Sequence, residues 1–136
     1  MADIEIFNPD SISTPGGTYS HVAEVGPGAK LVAIAGQVAL DRDGNVVGTG
    51  DFDKQCAQVY ANIGAALEAA GGDWKNVLQF MSFLVRKEDI AKFAAFRKRE
   101  FPKIYPNGQY PPNTLLVVSA LASDALLLEV QAIAAI

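Results

Sequence analysis

Three short runs, Leu31–Ile34, Leu115–Val118 and Leu126–Leu128, are apolar at every position. A strand that buries one face alternates apolar with polar residues, because successive side chains point to opposite sides of the sheet. An unbroken apolar run marks a strand covered on both faces. Only two stretches carry a helical period. Phe52, Cys56, Val59, Tyr60, Ile63, Leu67 and Ala70 recur at steps that share one helical face, with Asp51 as N-cap and Gly71-Gly72 as the stop. Ile90, Phe93, Ala94 and Phe101 define a second helix that begins near Lys87 to Asp89 and ends at Pro102. Two helices cover one face of a sheet. The other face needs a cover from outside the chain, and a second copy is the economical one.

Turn residues order the remainder. Residues 1–18, with Asn8-Pro9, Ser13-Thr14-Pro15 and Gly16-Gly17, read as an irregular lead-in. Tyr19, His21, Ala23 and Val25 alternate with Ser20, Val22 and Glu24 as a strand, closed by Gly26-Pro27-Gly28. Lys30 to Ala35 is the next strand, ending in Gly36-Gln37, and Val38 to Val47 reads as a hairpin turned at Asp43-Gly44. Val77 to Val85 is a strand and Lys103 to Asn113 a loop. Thr114 to Val118 and Leu126 to about Ile133 are the last two strands. The order is β-β-β-α-β-α-β-β, an α+β domain without repeat or boundary over residues 1–136. Gly64, inside the first helix, points to close approach of a strand.

Half of the 136 residues are apolar and 19 % are charged, a sticky balance for a small chain. Disorder is excluded by that apolar share, and no run approaches the roughly 20 apolar residues of a membrane span. A net charge of −4 argues against nucleic-acid binding, which needs clustered cations. The one basic run, Arg97-Lys98-Arg99, meets Glu100 and reads as a solvated helix end. The start lacks a signal-peptide layout and the lone Cys56 permits no intrachain disulfide, so the cytoplasm is the expected location. His21 and Cys56, the single residues of their kind, make neither a metal site nor a Cys–His pair. Cys56, on the apolar helix face, reads as a small buried hydrophobe.

Several local patterns then coincide. Tyr19-Ser20, Ala35-Gly36-Gln37, Gln55 with Asn62, Ala69-Ala70-Gly71, Tyr110-Pro111 and the terminal Glu129-Val130-Gln131-Ala132-Ile133-Ala134 occur in order across nearly the whole chain. Together they resemble the Rid (reactive intermediate deaminase) family, also called YjgF; each alone is weak. The resemblance implies a chorismate-mutase-like fold assembled as a homotrimeric barrel, with helices outside and small-molecule clefts between subunits. It also implies hydrolysis of imines or enamines to a carbonyl compound and ammonia, without metal or organic cofactor.

Imine hydrolysis needs a group to orient water and move protons, and a cation to hold a substrate carboxylate. By the resemblance, Glu129 matches the water-positioning glutamate and Tyr19 a tyrosine lining the cleft. Gly36, Ala35, Asn113 and Thr114 fall at substrate-binding positions. Two of these depart from the family pattern. Asn113 stands where active deaminases carry an arginine, and Ala35 where they carry a serine. A helix asparagine of the family falls near Ala94. Arg97 and Lys103 could supply a cation instead, but read first as solvated surface charges; Arg97 lies one turn after Phe93, where a subunit interface is the alternative. His21 reads as a satisfied or exposed strand histidine. The expected function is metabolite binding with imine or enamine hydrolysis on a non-standard substrate. The alternative is a non-catalytic binding or interaction protein on the same trimer, and ribonuclease activity fits poorly with the acidic charge.

Overall fold

The computed structural model describes residues 2–136. Its elements are β1 (Ile4–Phe7), β2 (Val22–Val25), β3 (Leu31–Gln37), α1 (Phe52–Ala69), β4 (Val77–Leu84), α2 (Asp89–Ile104), β5 (Asn113–Val117) and β6 (Leu128–Ala135). The order β-β-β-α-β-α-β-β is the expected one; the strands expected from Tyr19 and from Lys30 are β2 and β3, and the third is β1 rather than the expected hairpin. The lead-in holds β1, which pairs antiparallel with β2 from Ile4–Val25 to Phe7–Val22. The strand expected from Tyr19 starts only at Val22. The expected hairpin shrinks to a single bridge between Leu40 and Val46, because Asp41 turns the chain by itself. Its Oδ1 accepts from the backbone N–H groups of Asp43 and Asn45, both at 2.9 Å.

β3, β6, β4 and β5 form one mixed sheet in that order. β6 runs antiparallel to both neighbours, and β4 and β5 are parallel, joined through α2. Val130, Ala132 and Ala134 of β6 and Phe80 and Leu84 of β4 point to the helices and are buried with Val59, Ile63 and Leu67 of α1 and Phe93 and Phe101 of α2. Both helices lie on this face. The opposite face carries Glu129, Gln131 and Ile133 of β6, with Phe83 opposite Glu129 and Leu116, and Met81 opposite Gln131 and Thr114. It is open in the single chain: Leu31 is 66 % exposed, Leu116 44 % and Ile133 37 %. The apolar runs thus have a covered side and an uncovered one.

The local signals for α1 hold. The Asp51 carboxylate accepts from Lys54 N–H. Gly72 N–H donates to Leu67 and Gly71 N–H to Glu68, with Gly71 at φ 87°. That is a Schellman stop, which needs the left-handed residue glycine tolerates. Two expectations are corrected. Pro102 does not end α2 but sits in its last turn, since it costs only one helical N–H and leaves the carbonyl of exposed Lys98 open to water. Gly64 makes room for the Trp74 indole rather than a strand; a Cβ there would lie 3.2 Å from its Cζ2.

Two motif residues of α1 hold loops in place. Buried Gln55 donates to the carbonyls of Ala125 and Gly48 and accepts from Leu127 N–H, tying down the entry to β6. Asn62 donates to the carbonyls of Val38 and Leu40 and fixes the exit from β3. Glu129 and Gly36 lie just beyond these two anchors.

Candidate functional site

The expected site residues fall into two groups. Tyr19, Asn113 and Thr114 share the walls of two hollows. One, of about 470 Å³, lies between the 16–19 segment, α2 and β5; the other, of about 620 Å³, lies between β2 and the open face of the sheet. The Asn113 amide oxygen accepts from the hydroxyl of buried Ser82 at 2.7 Å, which leaves its N–H groups as donors. The Tyr19 hydroxyl accepts from Gly16 N–H at 3.5 Å, and its ring meets His21 edge-on at 5.9 Å.

Glu129, Gly36 and Ala35 form the second group, where β3 meets β6. The register between them slips between Ile34 and Gln37, so Ala35 and Gly36 form an irregular step in β3. The Glu129 side chain lies across that step; a Cβ on Gly36 would fall 2.8 Å from its carboxyl carbon. Ala35 is exposed. Glu129 and Thr114 stand on strands either side of β4, two residues apart in register. At about 4.8 Å per strand and 3.3 Å per residue, their backbones are about 12 Å apart. One chain therefore carries the candidate residues in two separate groups.

The remaining candidates are placed as follows. His21 is a clamp: its N–H donates to Asn8 Oδ1 at 2.8 Å, and its Nε2 lies 2.6 Å from the Ser13 carbonyl. Cys56 is fully buried, and burial with the nearby charges of Asp53 and Asp89 pushes its thiol pKa up. Lys103 is exposed and paired with Glu100 at 3.0 Å.

Arg97 is not the solvated charge expected. It is 4 % exposed, its guanidinium carbon lies 4.1 Å from the Phe101 ring centroid and 5.5 Å from that of Phe93, and its Nη2 donates to the Thr18 carbonyl at 2.9 Å. Arg97 also lines the 470 Å³ hollow with Asn113 and Thr114. A signal was present: residues 93, 97 and 101 recur every fourth position, so Arg97 lies within the apolar stripe of α2.

The fold has counterparts among known proteins. A family model described as Endoribonuclease L-PSP matches residues 11–136. The RutC family protein PH0854 of Pyrococcus horikoshii is 32 % identical over 130 residues, covering 96 % of each chain. The structure of YyfB from Yersinia pestis, a protein of unknown function in the conserved Rid family, superposes with a TM-score of 0.86 at 30 % identity, covering 98 % of each chain. The YjgF gene product of E. coli shares the fold at a TM-score of 0.67 and 22 % identity, over 96 % of this chain and 97 % of that one. The fold is thus shared with these proteins over nearly its whole length, and the chain belongs to the Rid/YjgF family.

Proposed function

We propose that this protein binds a small metabolite in clefts between copies of the chain and hydrolyses an imine or enamine there. The observation that carries the reading is Glu129 on the open sheet face, its side chain seated on Gly36 and its backbone about 12 Å from the Thr114 half-site. Neither half is a complete site. The apolar surface around Glu129 suits a second copy, whose Tyr19, Asn113 and Thr114 would complete the cleft, as the trimer of the family resemblance implies.

In such a cleft the Glu129 carboxylate accepts a proton from a bound water as the water oxygen bonds to the imine carbon. That proton passes to the substrate nitrogen to give a carbinolamine. The carboxylate then carries the proton of the new hydroxyl to the same nitrogen, the C–N bond breaks as the C=O bond forms, and ammonia leaves a carbonyl compound. Tyr19 lines the wall and offers a hydroxyl. Asn113, with its oxygen engaged by Ser82, offers neutral N–H donors. A neutral hydrogen bond is worth about 0.5–1.5 kcal/mol against about 1.5–3 for a charged one. Position 113 therefore holds an anionic group more weakly than an arginine would.

A nuclease reading finds no support in the basic run. Arg97 is buried, and Arg99 is bound to Asp53 at 2.8 Å and to Glu100 at 3.2 Å. The test is ammonia release from a panel of imines and enamines generated in situ. Acceleration over buffer that disappears in Glu129→Ala is expected. No acceleration on any member, or activity that survives Glu129→Ala, overturns the reading.

A further inference from the structure

The buried cation of α2 has no counter-charge among the described residues. Among the described residues no carboxylate lies within ion-pair distance of Arg97, and its buried Nε has no hydrogen-bond partner. The Phe101 and Phe93 rings offset part of the lost hydration through their negative faces, and the Thr18 carbonyl takes one N–H. That is a small share of what a guanidinium with five N–H donors needs when it leaves water. Burial accordingly lowers its pKa, while the neighbouring Tyr60 and Tyr105 work against the shift. A cation this costly to bury, on the wall of a hollow, suits an anion that enters from outside.

The hollow narrows the choice of anion. Beside Arg97 its walls are Ile90, Phe93, Ala94 and Leu115, with Asn113 and Thr114 at the β5 side. One guanidinium neutralises one negative charge, and a second charge would be stranded among apolar walls. A monocarboxylate with a small apolar body fits; a dianionic phosphate does not. We propose that Arg97 is the anion-holding residue of this hollow, binding the carboxylate of a small ligand while Asn113 and Thr114 donate neutral hydrogen bonds. The cation that position 113 lacks is then supplied from α2, across the hollow from β5. A ligand carboxylate would be held from the helix side.

This deepens the reading of the site given above, and its test reads binding rather than turnover. Calorimetry with 2-oxobutyrate should give a measurable affinity, with 2-butanone, which lacks the carboxylate, and inorganic phosphate each at least tenfold weaker. Arg97→Met should weaken 2-oxobutyrate at least tenfold, and Arg97→Lys should restore part of that loss. Because Arg97→Met also loses the Thr18 contact, Ala94→Glu is the second variant. Ala94 is exposed and one turn before Arg97, so a glutamate there supplies an internal carboxylate and should displace 2-oxobutyrate without unfolding α2.

Undiminished 2-oxobutyrate binding in folded Arg97→Met or in Ala94→Glu overturns the assignment, as does equal binding of 2-butanone or tighter binding of phosphate. Binding retained with no turnover in the parent protein would fault the hydrolysis reading alone.

Discussion

Glu129 lies across Gly36, with its Cγ 2.9 Å from the point a Cβ on that glycine would occupy. Gly36 does not have a positive φ, so backbone freedom is not what position 36 requires; it requires space. The Gly36→Ala change must push the carboxylate off its seat or open the β3–β6 pairing. We expect imine turnover to fall at least tenfold, with a stability loss of about 1–3 kcal/mol, the usual cost of overpacking. Ammonia-release kinetics beside thermal unfolding check both. Full activity in a folded Gly36→Ala protein would show that Glu129 need not rest there.

How much of this was legible in advance depended on how local each cause is. The start and stop of α1 could be read because Asp51 and Gly71-Gly72 act within a few residues of the helix they bound. β1 could not, because Ile4 to Phe7 is too short to declare itself and its partner is Val22–Val25. Alternation along β6 placed Glu129 and Gln131 on one face. The seat on Gly36 arises from a slip in register that no periodicity announces. The burial of Arg97 does not show in the sequence because its main neighbours include the carbonyl of Thr18, 79 positions away. Solvated arginines are the common case, and only its place between Phe93 and Phe101 argued otherwise.

Gln55 offers a stability prediction independent of function. It is fully buried, and its amide satisfies Ala125 and Gly48 carbonyls and Leu127 N–H. In Gln55→Ala these three groups lose their partner and a cavity opens. Each unsatisfied buried group costs about 1–3 kcal/mol, and the costs overlap where water enters. We expect a loss of about 3 kcal/mol, read from the urea midpoint. A loss under about 1 kcal/mol would mean that the loop before β6 finds other partners.

Three buried acids make stability fall in alkali. Burial, aided by the charges of Asp53 and Asp89, raises Cys56 above its ordinary value of 9.0, and burial raises Tyr60 and Tyr105 above theirs of 10.0. Above those ordinary values the unfolded chain releases protons that the folded chain keeps. The unfolded state then binds fewer protons, so unfolding becomes easier as pH rises. Their contribution is intact below about pH 8.5 and declines above it by about 1.4 kcal/mol per pH unit for each group that titrates. Urea midpoints from pH 7 to 11 should show the decline, with its first part, near pH 9, absent in Cys56→Ala. In the native protein at pH 8 a maleimide should label Cys56 only as fast as the chain unfolds; rapid labelling would contradict the burial.

Asn113→Arg tests how far the cleft depends on one position. An arginine at position 113 removes the acceptor of the Ser82 hydroxyl, which is fully buried. It also brings a second cation to a hollow that Arg97 already lines. An unsatisfied buried hydroxyl costs about 1–3 kcal/mol, and like charges add to that. We therefore expect lower stability and at most a few-fold gain in 2-oxobutyrate affinity by calorimetry. A gain of a hundredfold or more would show that the two cations do not share one ligand.

The uncovered sheet face gives the last prediction. Ile133 stands on it beside Gln131 and Glu129 and is 37 % exposed in the single chain. If three copies enclose this face, sedimentation should give about three times 14.4 kDa, and Ile133→Glu should reduce it to one chain. In a lone chain that change sets a carboxylate in water and costs little. In an enclosed barrel it buries three uncompensated charges, and removing such charges from water costs several kcal/mol each. A protein already monomeric at micromolar concentration would remove the proposed clefts. A variant that stays trimeric would place the contact on another face. Separation into well-folded single chains would show instead that the apolar runs of β3 and β5 tolerate water on one side.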